Sequence, residues 1–143
     1  MEPGKMPEHC TAIVVPCFNE AARLDAEAFL KFLQRSSGID FILVDDGSSD
    51  GTDKVLEKLR QQAPDRIKTL LFGANSGKAA AVQAGLLSAL ENASYSFLGY
   101  WDADLATPLE TIKDFQQLLD SKKCDIVFGA RVKLLGNGVQ RRL

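Results

Sequence analysis

Carboxylates recur in three short polar stretches: Pro16-Cys-Phe-Asn-Glu20, Asp45-Asp-Gly-Ser-Ser49 and Asp102-Ala-Asp104. An Asp-x-Asp pair offers hard oxygen ligands of the kind Mg2+ or Mn2+ takes, and such a cation bridges the oxygens of a diphosphate. These stretches carry little compensating positive charge, so an anionic ligand bound among them calls for an intervening cation. A structural reading stands beside this one. Asp46 and Ser49 also suit a closed turn and a capped helix, and Asp102 and Asp104 also suit a solvated strand end. A fourth stretch, Gly73-Ala-Asn-Ser-Gly77-Lys78, reads equally as a tight turn with a lysine on the first helical turn or as a phosphate-side element.

The surrounding elements decide whether these stretches meet. Phe41 to Val44 is a continuous apolar run, the pattern of a strand buried on both faces, as in a parallel sheet. Further strands are predicted at Thr11 to Val15 (stopped by Pro16), Ile67 to Phe72, Tyr95 to Trp101 and Asp125 to Phe128. Helical patterns run from about Glu20 to Arg35, Asp50 to Gln62, Lys78 to Glu91 and Pro108 to Asp120. The order βαβαβαβαβ with short connections predicts an α/β fold, a doubly wound and mostly parallel sheet with helices on both faces. In such a sheet the loops after strands one, two and four leave by one edge, where open α/β sheets bind ligands. No repeat, low-complexity segment or linker divides the chain.

Composition narrows the function. The 143 residues suffice for a domain with a real core, and 45% hydrophobic with 25% charged residues is ordinary for a globular protein. A net charge of −2 implies no general polyanion affinity, so nucleic acid is not expected as a partner. Cys10, Cys17 and Cys124 have no metal-type spacing and read as free thiols of a reducing compartment. The single histidine, His9, lies in a polar lead, so Ser–His catalysis has no support. No run reaches the ~18 apolar residues that cross a bilayer. The first strand–helix turn lacks the glycines of a dinucleotide fingerprint. The Gly73 to Ala79 stretch is one residue short of a P-loop and has Ala79 in place of the hydroxyl.

Five motifs then fall in order: Val15-Pro-Cys-Phe-Asn-Glu20, Val44-Asp-Asp-Gly-Ser-Ser-Asp-Gly-Thr52, Asn75-Ser-Gly-Lys78, Asp102-Ala-Asp104 and Gly129-Ala-Arg131. Together they resemble the successive motifs of family 2 glycosyltransferases, most closely the polyprenyl-phosphate (dolichyl-phosphate) glucosyl- and mannosyltransferase branch, over residues 11 to about 131. The resemblance implies a GT-A fold, a nucleotide-diphosphate sugar donor such as UDP-glucose or GDP-mannose, Mg2+ or Mn2+, and inversion at the anomeric carbon. It places Pro16, Phe18 and Glu20 around the nucleobase and Asp46 on base or ribose. Ser48, Gly77 and Lys78 fall on the nucleotide-sugar side, Asp102 near ribose and metal, Asp104 on the metal, and Arg131 near the acceptor or donor phosphate. Arg141 and Arg142 align loosely with the same purpose. Ala106 stands where many lipid-phosphate members carry a glutamine that contacts the metal. The implied acceptor is a polyprenyl phosphate or a saccharide hydroxyl. The implied organisation is a lead over 1–10, a donor-binding domain over 11–131 and the start of an acceptor-side segment over 132–143. A second copy covering an open sheet edge, and a cytoplasmic site at a membrane face, complete the expectation. The competing classes are a module that binds nucleotide sugars without transfer, and a nucleotidyltransferase. The latter would need a glycine- and arginine-rich loop after the first strand, which the sequence lacks.

Overall fold

The computed structural model describes residues 10–130 and the backbone of 132–133 and 139–140. The polar lead with His9, and Arg131, Arg141 and Arg142, lie outside the described residues. The chain forms two compact units, Met1–Asp104 and Leu105–Leu143.

The first unit alternates strand and helix: β1 (Cys10–Cys17), α1 (Ala26–Arg35), β2 (Ile39–Asp45), α2 (Thr52–Gln62), β3 (Ile67–Leu71), α3 (Lys78–Leu90) and β4 (Tyr95–Tyr100). The four strands pair in the order β3-β2-β1-β4, all parallel. This is the α/β, Rossmann-like arrangement of a GT-A fold. Central strands β1 and β2 are buried almost throughout, which accounts for their unbroken apolar runs.

Strand alternation divides the core into two layers. Ala12, Val14, Ile42 and Val44 face α3 and cluster with its Ala81 and Ala89. The small residues of α3 are required there: a Cβ on Gly85 would stand 2.3 Å from Val14 Cγ1. On the opposite face Phe41 meets Phe29 and Phe32 of α1, with ring centroids 5.1 and 5.9 Å apart, the closer pair edge-on. All three rings are buried, and each such burial stabilises the fold by roughly 2–3 kcal/mol. At the amino ends of the strands, Arg66 donates to Asp40 at 2.9 Å and also to the carbonyls of Ser36 and Ile39.

Several element limits differ from the sequence pattern. Strand β1 passes through Pro16 to Cys17. The odd residues of β1 bond toward β2, since Thr11 N–H donates to Gly38 and Cys17 O accepts from Asp46, while Val14 O accepts from Trp101 on the β4 side. The missing N–H of Pro16 therefore faces β4 beyond its last register pair, Val14 with Tyr100, and costs no ladder bond. Helix α1 begins at Ala26 rather than Glu20, because Asp25 caps it through Ala28 N–H at 3.0 Å and residues 20–24 are closed as turns on Glu20 O. Helix α2 starts at Thr52 behind Gly51, whose φ is +88°.

In the second unit, α4 (Thr111–Asp120) starts three residues after Pro108, which is consumed in a turn closed by Thr111 N–H on Pro108 O. Short strands β5 (Val132–Lys133) and β6 (Val139–Gln140) pair antiparallel. The strand expected at Asp125 to Phe128 is not formed. Among the described residues no strand pairs with this stretch, and Ile126 and Phe128 stand 77% and 80% exposed. An apolar run becomes a strand only where a neighbour supplies ladder bonds.

Candidate functional site

Because the strands are parallel, the loops after β1, β2 and β4 leave by the same edge of the sheet, together with the loop after β3. Three of these loops are bonded into one framework. Ser48 Oγ accepts from Asn19 N–H at 2.9 Å, and Asn19 Oδ1 accepts from Ser49 N–H at 3.0 Å. Asn19 has a φ of +50°, a left-handed conformation that asparagine tolerates better than most residues. One turn further, Thr52 Oγ1 accepts from Glu20 N–H at 3.0 Å and donates to Asp50, whose other oxygen accepts from Ala21 N–H at 3.2 Å. The Thr52 hydroxyl holds the Asp50 carboxyl below its ordinary range. The Asp-Gly-Ser-Ser-Asp-Gly-Thr stretch thus fastens the loop after β1 along its length.

The loop after β3 hangs on Asp46. Its Oδ1 accepts from Ser76 N–H at 2.7 Å, and its Oδ2 accepts from Gly77 N–H at 3.0 Å and from the Asn75 amide at 3.1 Å. The same amide donates to Asp46 O. Next to it, Gly47 has a φ of +67°, and a Cβ there would lie 2.4 Å from the backbone of Ala74 and Asn75. Asp45 and Asp46 are both buried, at 4% and 3% exposure. Asp45 closes the turn by accepting from Ser48 N–H at 3.1 Å. Of the two acids, Asp46 carries more of the framework.

Around this framework stand the remaining residues singled out from sequence. Pro16 is half-buried and Phe18 is 46% exposed. Glu20 pairs with Arg23 through Oε1 at 3.2 Å, while its Oε2 is buried with no hydrogen-bond partner among the described residues. Beneath the loop, burial and the neighbouring Glu20 and Asp45 carboxylates push the Cys17 thiol up to about 12. Beyond β4, Trp101 and Ala103 are buried, and Asp102 and Asp104 are both exposed. Asp102 Oδ1 holds the ammonium of Lys78 at 2.5 Å, and that ammonium also lies 5.7 Å from the Tyr100 ring centroid. Gly77 caps α3 with a φ of +97° and presents Lys78 as its first residue. The sequence motifs contain Asn19, Asp50, Thr52 and Asn75 but assign them no role, and Tyr100 stands outside them. Only the turn chemistry of Asn and Asp pointed to a role for any of them.

A divalent cation suits this edge in part. Among the described residues no group of three or more His, Cys, Asp or Glu is gathered to hold a metal. Two exposed carboxylates, one already attracting an ammonium, match a cation that keeps several waters and takes further oxygens from substrate phosphates.

The sequence profile described as glycosyl transferase family 2 matches residues 12–143. The chain belongs to that family. It is 30% identical over 136 residues to the dolichyl-phosphate beta-glucosyltransferase of Dictyostelium discoideum, covering 87% of this chain and 40% of that protein. Its structure is similar to S. aureus TarS, with a TM-score of 0.64, 24% identity, and 92% of this chain and 23% of TarS covered, a likeness of fold. It is also similar to mannosyltransferase PcManGT from Pyrobaculum calidifontis, solved in complex with GDP-Man and Mn2+, with a TM-score of 0.53, 25% identity, and 72% of this chain and 29% of that one covered. The chain spans between 24% and 50% of the length of the first curated relatives it matches. The family assignment identifies residues 12–143 as a glycosyl transferase family 2 domain.

Proposed function

We propose that the strand-end edge of this glycosyltransferase domain binds a nucleotide-diphosphate sugar together with Mg2+ or Mn2+, and that the whole protein passes the sugar, with inversion, to a polyprenyl phosphate. The observation that carries the reading is the juxtaposition at one sheet edge of a pinned multi-loop framework and the exposed Asp102 and Asp104 carboxylates. A dolichyl-phosphate transferase and a GDP-Man and Mn2+ complex among the similar proteins support it.

In this reading Pro16, Phe18, Glu20 and Ser48 line the nucleobase side. The exposed Phe18 ring offers a stacking face, and Glu20, with one oxygen unpaired, offers an acceptor for a base N–H. Asp46 shapes the nucleotide side from behind, by fixing Ser76 and Gly77. Asp102 and Asp104 hold the cation, and Arg131 serves a phosphate. Bound there, the cation stabilises the negative charge that gathers on the departing nucleoside diphosphate. An acceptor that is already a phosphate anion attacks without a general base, consistent with the absence of a carboxylate set aside for that purpose in the motifs.

Calorimetry with UDP-glucose and GDP-mannose, in Mn2+ and in EDTA, tests the proposal on the parent and on Asp104→Asn. One donor is expected to bind the parent in Mn2+, with the substitution weakening that binding about tenfold or more and changing little in EDTA. Equal affinity of both proteins in Mn2+ removes the metal role. A parent that binds neither donor removes the donor reading. Sugar transfer from radiolabelled donor to polyprenyl phosphate by the whole protein then tests the acceptor.

A further inference from the structure

Lys78 stands where a helix least favours a cation. It is the first residue of α3, and no acid in that first turn offsets it. Its ammonium reaches across to Asp102 Oδ1 at 2.5 Å and lies 5.7 Å from the Tyr100 ring centroid. Its side chain is 58% exposed and that of Asp102 52%, so the pair is solvated and contributes little to stability. A weak ion pair on a carboxylate of the candidate cation site is well suited to exchange.

The backbone beneath Lys78 is fixed where its side chain is not. The preceding residues, Ser76 and Gly77, are bonded to the buried Asp46 carboxylate at 2.7 and 3.0 Å. Lys78 can therefore leave Asp102 by rotamer change alone. The ammonium and a divalent cation cannot share Asp102 Oδ1 cheaply. A metal sits about 2.1 Å from such an oxygen and repels a positive charge at hydrogen-bond distance from it.

We propose that Lys78 is the exchangeable counter-ion of Asp102. It holds the carboxylate until a divalent cation arrives, and the displaced ammonium then turns to the diphosphate that the cation brings. This rests on the metal reading of Asp102 given above. It assigns Lys78 two opposite effects: it opposes binding of the bare cation and favours binding of the cation–nucleotide pair. A lysine that only caps a turn has neither effect, and one that only contacts phosphate has the second alone.

Manganese titration followed by the electron paramagnetic resonance of free Mn2+ separates these cases at low salt. The proteins are the parent, Lys78→Met, Lys78→Arg, Asp102→Asn and the Lys78→Met/Asp102→Asn double variant, each checked for fold by circular dichroism. Lys78→Met should bind Mn2+ about three- to tenfold more tightly than the parent, with Lys78→Arg close to the parent. In the Asp102→Asn background the Lys78→Met effect should vanish. With Mn2+ saturating, Lys78→Met should bind UDP and GDP more weakly than the parent. If Asp102→Asn loses Mn2+ while Lys78→Met binds it no more tightly than the parent, the exchange is overturned and the metal reading stands. If Asp102→Asn keeps the parent's Mn2+ affinity, or none of the proteins binds Mn2+, the metal reading fails and the exchange falls with it.

Discussion

The carboxylate of Asp46 holds the backbone N–H of Gly77 at 3.0 Å, across 31 residues of chain. That bond, with those from Ser76 and Asn75, makes the loop after β3 an extension of the loop after β2. Asp46→Ala strands two backbone donors and an amide in a region where the carboxylate is 3% exposed. Loss of a charged, buried acceptor of this kind costs about 2–4 kcal/mol. Urea unfolding should show that loss, and amide exchange at Ser76 and Gly77 should accelerate beyond the global change. An unchanged unfolding midpoint would show that the loop does not depend on Asp46.

Gly47 and Gly51 provide a paired comparison four residues apart. Both have positive φ, +67° and +88°. A methyl group on Gly47 meets the backbone of Ala74 and Asn75 at 2.4 Å, whereas one on Gly51 meets nothing within 4 Å. Gly51→Ala should therefore cost only the left-handed backbone term, about 1–2 kcal/mol. Gly47→Ala should cost more, about 3 kcal/mol or above, because the facing backbone must move as well. Thermal unfolding of the two variants side by side checks the order. Equal losses would mean that the approach of the two loops is not tight.

The parallel strands are legible in the sequence because burial on both faces leaves an unbroken apolar run, as at Phe41 to Val44. The shared edge for the polar loops follows from parallel order alone. The framework is less legible. Asn19, Thr52 and Asn75 act on partners about thirty residues away, and hydrogen bonds at that separation leave no periodic trace. Local pattern also misplaces the start of α1, since apolar spacing does not register that Glu20 to Leu24 close on themselves before Asp25 caps the helix. The Asp125 to Phe128 stretch fails as a strand for a related reason: its apolar composition says nothing about whether a neighbour offers ladder bonds. Asp46 reads as a ligand-side acid from its motif, whereas its burial and its three partners become visible only in three dimensions.

Thr52 links the first two strand-end loops and sets the titration of Asp50. Thr52→Val keeps the shape and removes the hydroxyl, leaving Glu20 N–H without its acceptor. The cost should be about 1–3 kcal/mol, since Thr52 is fully buried. The Asp50 carboxyl, lowered chiefly by this hydroxyl, should rise toward its ordinary value, as carbon-detected NMR titration would show. The sign for stability follows. A carboxyl lowered in the folded state stabilises above its unfolded value, and that contribution disappears as pH falls through the folded value. Thr52→Val should therefore flatten the acid limb of the stability curve. An Asp50 titration unmoved by the substitution would count against the hydroxyl as the cause.

Cys17 contributes to the alkaline limb. Its thiol, 1% exposed beneath the loop after β1, is pushed from 9.0 to about 12 by burial, with Glu20 and Asp45 adding to the shift. Above pH 9 the unfolded chain releases this proton while the folded chain keeps it. The unfolded state then binds fewer protons, and stability falls with rising pH from about 9 until the folded thiol titrates. At pH 10 the loss should be about 1 kcal/mol relative to pH 8. Tyr95, also raised to about 12 by burial and by its bond to Asp40, starts from 10.0, so its share is smaller at pH 10 and grows at higher pH. Cys17→Ala removes the thiol without adding bulk and should lessen the fall in stability between pH 8 and 10, at the cost of a small cavity. Urea unfolding of both proteins at the two pH values decides the matter: a parent as stable at pH 10 as at pH 8 would place the Cys17 thiol in contact with solvent. The same burial predicts slow reaction of Cys17 with a thiol reagent at pH 8 in the folded protein, and fast reaction in urea.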